Sequence, residues 1–431
     1  MGGNAGNLSF GHWTRVDTWA FISFSMGMFL EAYIFGMSTI ATGWVAMPAS
    51  LRSLLLSWSP LWLIIGIIVS GPLSDKIGRK HVFYITMIMY GIAAIGIVFS
   101  DTYYLILLFL AILLFGSGGE MNTIMALSQE IMPTEHRSTT MLLELNFIPL
   151  GGVVLAAVSF STASSSIFYQ RFMIAITILI VLIVLIASRR YLPESFLWLA
   201  SIGREDQAIN DAIKYYGREE YLRRTMNKKE LEDREDLDKT KHLGLKIFST
   251  LTTAFAGTTG FGLIAYVLGP VFYPGLVALI LLVSSIAAFG TGFIGFFGER
   301  ISRKSMLLWG NVGALVFTII TYVTISSWTR YLIIFWFLVI ALNAFVQLGY
   351  LAEDTLKSEV WATKSRGTLT AIIRFLGIGL YIPTIYLTAS YNLNQYILFN
   401  IIVWVIGSAG AIAWFLFGKE TGKGIPIEMA D

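Results

Sequence analysis

Charged side chains within the apolar stretches of the sequence are the residues best suited to chemistry. Glu31, Glu120, Glu144 and Arg374 each lie in an apolar run long enough to cross a bilayer. A charged residue at that depth costs about 2.5–3.5 kcal/mol on insertion scales, so each one is a functional hypothesis. A carboxyl group in an apolar, partly hydrated cavity can load and release a proton near neutral pH. We therefore expect Glu31 and Glu120 to couple protons; a carboxyl that only joins two helices is the alternative.

Amides and hydroxyls in the same stretches are candidates for a substrate cavity, because they can hydrogen-bond a hydroxylated ligand. They also serve as ordinary bonds between membrane helices, so we expect about half of them to touch a ligand. Glu353 and Asp354 lie near a helix end and are expected to be gate or surface residues. The cavity candidates are Tyr33, Asn122, Asn146, Thr258, Thr259, Asn343, Gln347 and Tyr350.

The composition describes the scaffold that must position these residues. Of the 431 residues, 56% are hydrophobic and 13% are charged, whereas a soluble domain carries about 25% charged residues. The chain has no cysteine and four histidines without paired spacing, which argues against disulfides and a metal site. We expect no cofactor, no nucleic-acid partner at a net charge of +3, and no enzyme activity, because no nucleophile–base pair can be assembled.

Twelve apolar stretches form the predicted spans of an all-α membrane protein, since about 20 apolar residues cross a hydrocarbon core of roughly 30 Å. Lys and Arg concentrate on the loops that share a side with both termini, and the other side holds only Arg52, Arg171 and Arg330. This asymmetry predicts that both termini are cytoplasmic. The predicted spans are 18–43, 51–71, 81–100, 103–129, 138–160, 169–189, 245–270, 272–297, 305–326, 330–352, 367–389 and 394–417.

The spans divide into two sets of six. Residues 1–189 form the predicted N-terminal bundle, 190–244 a cytoplasmic linker, and 245–431 the C-terminal bundle with a short cytoplasmic tail. The linker carries nearly balanced, mixed charge, which favours helices on the membrane surface; a disordered linker is the alternative.

Two polar segments of the first half recur in the second. The segment 71–80 returns at 295–304, and the segment from Glu130 to Arg137 returns from Glu359 to Arg366. Nearly equal offsets predict two parallel repeats about an axis along the membrane normal. We expect their residues to form a cytoplasmic latch, unless the basic ones only anchor to headgroups. The predicted latch residues are Gly71, Asp75, Gly78, Arg79, Glu130, Arg137, Glu299, Arg303, Glu359 and Arg366.

These repeated segments resemble the major facilitator superfamily of secondary transporters. The segment from Pro193 to Arg204 is similar to the one that follows helix six in sugar porters, and Lys419 to Gly424 is similar to their C-terminal ending. Leu110 stands where sugar porters usually carry an arginine. Glu31 and the Gly116–Glu120 segment look more like the proton-coupled phosphate and organic-ion branches.

The resemblance implies two pseudo-symmetric six-helix bundles in which helices five and eleven face each other across the halves. Glu144 and Arg374 would then lie at one depth, about 10–12 Å from the cytoplasmic ends of those helices. We expect them to form an ion pair between the halves that breaks when the inner side opens. Direct binding of an anionic substrate by Arg374, or a static pair between neighbours, is the alternative.

The resulting expectation is a proton-coupled secondary active transporter of a small polar metabolite, which works by alternating access in the plasma membrane. That metabolite is a sugar or an organic or phosphorylated anion, and the remaining partners are membrane lipids around a monomer. A facilitative uniporter and a non-transporting nutrient sensor of the same fold are the alternatives.

Overall fold

The computed structural model describes residues 13–45, 48–133, 136–220, 242–361 and 363–422. Within these ranges the secondary structure is helical, and twelve helices are long and apolar enough to cross a membrane by length and composition. In the first half they are α1 (Arg15–Ala41), α2 (Ala49–Ile77), α3 (Arg79–Val98), α4 (Tyr103–Ile131), α5 (Arg137–Ser161) and α6 (Ile167–Arg189). In the second half they are α7 (Leu243–Gly262), α8 (Val277–Gly292), α9 (Arg303–Val323), α10 (Leu332–Glu359), α11 (Thr363–Thr388) and α12 (Leu393–Phe417).

Polar caps explain where several of these helices begin. Thr14 and Asp17 form a capping box at α1, and Asn392 and Gln395 form one at α12. Such caps satisfy backbone N–H groups that have no partner within the helix. The apolar residues that follow carry each helix through the bilayer, where all backbone groups must be bonded internally.

Two helices depart from simple spans. The α7 helix continues through a π-helical turn, Leu263–Val267, and a last α-helical turn, Leu268–Phe272. The α10 helix runs to Glu359, seven residues beyond the predicted end of that span at 352. The linker contributes two short helices, Phe196–Ser201 and Glu205–Tyr216, and its residues 221–241 lie outside the described part of the chain.

The two halves repeat one packing arrangement. In the first half α1 packs on α5 and α6, and α4 packs on α2 and α3. In the second half α7 packs on α11 and α12, and α10 packs on α8 and α9, which are the same pairings six helices later. This agreement confirms the predicted pair of pseudo-symmetric six-helix bundles.

Between the halves, α5 packs along α8 and α2 packs along α11. The expectation that α5 faces α11 was therefore wrong. The repeat makes α5 and α11 symmetry equivalents, so each meets a different helix of the opposite half rather than its own equivalent.

The halves touch at both ends of the bundle. At the linker end, where residues 190–220 lie, Thr139 N donates to Glu299 Oε1 (3.0 Å) and Ser138 Oγ donates to Gly298 O (3.3 Å). At the opposite end, Thr39 Oγ1 donates to Tyr266 O (3.2 Å). There the hydroxyls of Ser57 and Tyr386 also lie 2.8 Å apart. Hydrogen bonds therefore join the two halves at each end of the bundle.

Candidate functional site

A cavity of about 120 Å³ lies between the halves, which is room for several water molecules or part of a small ligand. Helices of both halves contribute to it, as expected for a transporter site at the interface of two repeats. Its walls are mostly apolar and aromatic. The first half contributes Glu31, Ala32, Phe35, Leu63, Met121, Ile148 and Pro149. The second half contributes Ala254, Gly257, Thr258, Phe261, Gly262, Tyr266, Ser285, Val346, Gln347, Tyr350, Asp354, Lys357, Arg374, Gly377, Ile378 and Tyr381.

One face of α10 supplies four of the polar groups. Gln347, Tyr350, Asp354 and Lys357 are spaced three, four and three residues apart, so they follow one another along a single face of the helix. All four line the cavity. The polar stripe on this helix is thus turned to the interior and not to lipid.

A buried ion cluster closes one side of the cavity. Arg374 Nη2 on α11 donates to both carboxylate oxygens of Asp354, at 2.7 and 2.8 Å. Lys357 Nζ lies 2.5 Å from Asp354 Oδ1 and 3.0 Å from Glu353 Oε1. Each of these four side chains is less than a tenth exposed, so the pairing offsets the cost of burying their charges. Glu353 and Asp354 are therefore not surface residues, and their role as gate residues stays a prediction.

Glu31 on α1 is the acidic residue that the first half presents to this cluster. Its carboxyl lines the cavity and lies within electrostatic range of Arg374, Asp354 and Lys357. Its Oε2 atom is buried and has no hydrogen-bond partner among the described residues. Glu31 is thus a lining residue with one buried carboxylate oxygen that has no partner in the described part of the chain.

Glu120, the second predicted proton carrier, has different surroundings. It forms an ion pair with Arg189, the last residue of α6, and accepts from Thr86 Oγ1 (3.1 Å). The guanidinium of Arg189 also lies 4.3 Å from the ring centroid of Phe83. Glu120 does not line the cavity, and its charge is balanced within the first half. Sequence reasoning missed this partner because Arg189 was counted with the cytoplasmic loop.

The predicted ion pair between Glu144 and Arg374 is not formed in this conformation. Glu144 Oε2 accepts from Ser128 Oγ (2.8 Å), and Arg374 binds Asp354. Each group therefore finds its partner within its own half, as expected when α5 and α11 do not face each other. An exchange of partners in another conformation stays a prediction.

The uncharged candidates divide into three groups. Thr258, Gln347 and Tyr350 line the cavity. The others with described side chains are buried elsewhere: Tyr33 donates to Ile174 O, Asn343 donates to Ser284 Oγ, and Asn146 and Thr259 are buried outside the lining. The side chain of Asn122 lies outside the described residues.

The two polar repeats at the linker end carry matching caps. Glu194 accepts from the backbone N–H of Arg79 (3.0 Å) at the start of α3, and Glu420 accepts from that of Arg303 (2.8 Å) at the start of α9. Lys80 and Lys304 then donate to backbone carbonyls beside these caps, at 2.9 and 2.7 Å. A carboxylate at a helix N-terminus is favourable because it satisfies N–H groups and opposes the helix dipole.

The second copy of the predicted latch makes contacts both within its half and between the halves. Glu299 caps α5, and Arg303 hydrogen-bonds Ser138 and lies 3.9 Å from Glu359. In the first copy, Arg79 Nη1 donates to Ser74 O (3.2 Å). Gly78 adopts φ +95° at the turn before α3, where a Cβ would lie 2.6 Å from Glu194. Of the remaining latch residues, Gly71 lies within α2, and Arg137 also makes contacts with its surroundings. The side chains of Asp75, Glu130 and Arg366 lie outside the described residues.

No group of three or more His, Cys, Asp or Glu side chains that could hold a metal occurs in the described ranges. The lining of the cavity itself offers carboxylates, cations, amides and hydroxyls. Such a site can bind a small polar molecule and exchange a proton.

Comparison with known proteins agrees with this geometry. The chain is 24% identical over 356 residues to the glucose transporter GlcP of Staphylococcus epidermidis, covering 75% of this chain and 76% of the relative. It is 30% identical over 190 residues to the niacin transporter NiaP of Acinetobacter baylyi, covering 44% of this chain and 42% of the relative.

Solved structures show the same fold. The proton:xylose symporter XylE bound to a bromodeoxyglucose aligns with a TM-score of 0.74 at 19% identity, over 96% of this chain and 97% of that one. XylE from E. coli in an inward-open conformation aligns with a TM-score of 0.71 at 19% identity, over 96% and 98% of the two chains.

A family model described as sugar (and other) transporter matches residues 20–422. This match covers nearly the whole chain and supports the prediction that the protein is a transporter and not an enzyme. The protein is thus a multi-pass membrane protein that belongs to the sugar (and other) transporter family.

Proposed function

We propose that the protein is a secondary active transporter that moves a small polar metabolite together with protons by alternating access. The observation that carries the proposal is the meeting of Glu31 from one half with the Arg374–Asp354–Lys357 cluster of the other half at the central cavity. A proton that binds Glu31 removes the negative charge that faces this cluster. Protonation in one half therefore changes the electrostatic energy between the two halves.

Alternating access requires two sets of contacts that break in turn. The bonds of Glu299 and Thr139 at the linker end, and of Thr39 and Tyr266 at the opposite end, supply such sets. We place the linker end and both termini in the cytoplasm, following the asymmetry of Lys and Arg, and the protein in the plasma membrane as a monomer.

The names of the relatives support a sugar or an organic anion as the metabolite. GlcP is described as a glucose transporter, XylE as a proton:xylose symporter, and NiaP as a niacin transporter. These three assignments define the first substrates to test.

The test is transport into liposomes that contain the purified protein and a trapped pH-sensitive dye. Glucose, xylose, glucose 6-phosphate and nicotinate are supplied in turn, with an inward proton gradient. We expect at least one of them to accumulate and to acidify the lumen faster than in protein-free liposomes.

A cavity-filling variant shows whether transport passes through this site. Gly257 lines the cavity, and a Cβ built there meets no atom within 4 Å, so Gly257→Phe should fill the cavity without disturbing packing. Gly290 is equally open but exposed away from the cavity, and Gly290→Phe is its control. Gly257→Phe should abolish uptake and Gly290→Phe should retain it.

The alternatives predict different results. Uptake that neither responds to the proton gradient nor acidifies the lumen identifies a uniporter. Ligand-dependent stabilisation of the purified protein without any flux identifies a sensor, because binding alone raises apparent stability. Full uptake by Gly257→Phe contradicts the cavity as the transport site.

A further inference from the structure

The unpartnered polar atoms around the cavity identify the kind of group that it binds. Arg374 uses Nη2 for Asp354, while its Nε and Nη1 are buried and have no partner in the described structure. Gln347 Nε2 is also buried without a partner, and Gln347 and Arg374 both line the cavity. All three atoms are donors, and leaving a buried donor unpaired costs about 1–3 kcal/mol. A ligand that supplies acceptor oxygens would satisfy them.

The acceptors of the cluster are already occupied. Both oxygens of Asp354 receive Arg374, and Lys357 divides its contacts between Asp354 and Glu353. Glu31 Oε2 is the remaining unpartnered carboxylate oxygen on the lining. Because protonation converts Glu31 into a donor, the protonated site offers donors on both halves.

The charge balance links the anion to the proton. Together with Glu31, the cluster contains three carboxylates and two cations, so its net charge is negative when every group is ionised. The carboxylates belong to Glu31, Glu353 and Asp354, and the cations to Lys357 and Arg374. A proton on Glu31 brings this set to neutrality and removes the charge that would repel a carboxylate. An anion should therefore bind well only after the proton has bound.

The remaining walls favour an apolar body. Away from the charged groups of α10 and α11, the lining is formed by residues such as Phe35, Leu63, Phe261, Tyr266, Ile378 and Tyr381. A sugar carries hydroxyls on all sides and would bury several of them against these walls without partners. A flat ring with one charged end instead places its polar group at Arg374 and Gln347 and its faces on aromatic side chains.

We propose that the substrate is a small monocarboxylate with a flat apolar body, whose carboxylate is bound by Arg374 and Gln347. This inference rests on the proposed transport through the central cavity and specifies its ligand. The carboxylate would accept one charge-assisted hydrogen bond from a free guanidinium N–H of Arg374 and a second hydrogen bond from the Gln347 amide.

The experiment measures thermal stabilisation of the purified full chain at pH 5.5 and pH 8. Nicotinate and benzoate are the carboxylate probes, nicotinamide and benzamide are their uncharged counterparts, and glucose and xylose are the neutral sugars. We expect both carboxylates to stabilise the protein, more strongly at pH 5.5, and the two amides and two sugars to have at least about tenfold weaker apparent affinity.

A charge variant with a matched control tests the assigned contact. Gln347→Glu removes a donor and adds a repelling charge, and should weaken nicotinate at least about tenfold at pH 8. Gln395→Glu makes the same change at the exposed cap of α12, where a carboxylate can still accept from Asn392 N, and should leave affinity unchanged. The pair Arg374→Gln with Asp354→Asn removes the central ion pair without leaving one charge unpaired, and should also lose nicotinate binding.

The outcomes separate this inference from the proposed function. Stabilisation by glucose or xylose and not by the carboxylates overturns the monocarboxylate while leaving transport through the cavity intact. Equal stabilisation by nicotinate and nicotinamide, or unchanged nicotinate affinity in Gln347→Glu, overturns it as well. Uptake that persists in Gly257→Phe overturns the transport site itself.

Discussion

Single residues show how the surroundings of a carboxyl determine its role. Glu120 receives Arg189 and Thr86 within the first half, whereas Glu31 lines the cavity with an unpartnered oxygen. The same residue type is thus expected to stabilise the fold in one place and to carry the proton in the other.

Substituting each carboxyl separately tests this division. Glu120→Gln leaves the Arg189 guanidinium buried without its counter-ion, which costs about 3–5 kcal/mol, so we expect a clearly lower Tm. Glu31→Gln should keep the wild-type Tm, because no hydrogen bond of Oε2 is lost, and should make uptake insensitive to the pH gradient. Both properties are measured on the same purified samples.

The control removes both charges of the structural pair. Glu120→Leu combined with Arg189→Met should recover much of the stability that Glu120→Gln loses, since apolar replacement of a buried pair is often nearly neutral. A Glu120→Gln protein with normal Tm and no response to the pH gradient would reverse the two roles.

Depth in the membrane could be predicted for individual residues, but direction around the helix could not. Counting along α1 and α11 identified Glu31 and Arg374, and both line the cavity. Glu120 was predicted as a proton carrier and Asn146 as a cavity residue, although both are buried outside the lining. The spacing of Gln347, Tyr350, Asp354 and Lys357 on one helix face is the signal that was available and not used.

Among the elements, α7 is continued by an irregular backbone segment. Its π-helical turn, Leu263–Val267, contains Tyr266, which lines the cavity and accepts a hydrogen bond from Thr39 of the other half. π-Helical turns occur frequently at functional sites. Directly before the turn, Gly262 packs against Tyr381, so α7 and α11 approach closely beside the cavity.

A methyl group at Gly262 should disturb this approach. Its Cβ would lie 2.5 Å from Tyr381 Cζ, so Gly262→Ala should displace Tyr381 at a cost of about 1–3 kcal/mol and reduce uptake. Gly244→Ala, on the same helix with nothing within 4 Å of its Cβ, should change neither Tm nor uptake. Equal behaviour of the two variants would show that close packing at Gly262 does not matter.

Helix ends were predicted well where a span meets lipid and water, and poorly where it enters protein. The predicted ends of span 394–417 agree with α12 to within one residue. The tenth span was ended at 352 because charges follow, yet α10 continues to Glu359 inside the protein. An apolar stretch indicates only the part of a helix that contacts lipid. The length of a helix that also carries buried ion pairs is therefore underestimated.

For the whole molecule, internal repetition was the strongest predictor. Two segments that recur at nearly one offset predicted two similar halves, and the helix pairings repeat six helices apart. The helix pairs that meet across the interface could not be predicted in this way. An internal repeat describes the fold of one half and not the orientation of the two halves relative to each other. The α5–α8 and α2–α11 contacts therefore required the structure.

The paired caps at the linker end predict where the polypeptide can be divided into two fragments that still assemble. Glu194 caps α3 and precedes residue 220, and Glu420 caps α9 and follows residue 242, so each half contains its own capping carboxylate. Fragments 1–220 and 242–431, co-expressed as separate chains, should associate and restore uptake. Fragments cut at residue 190 instead should assemble with a lower Tm, since α3 and its cap then belong to different molecules.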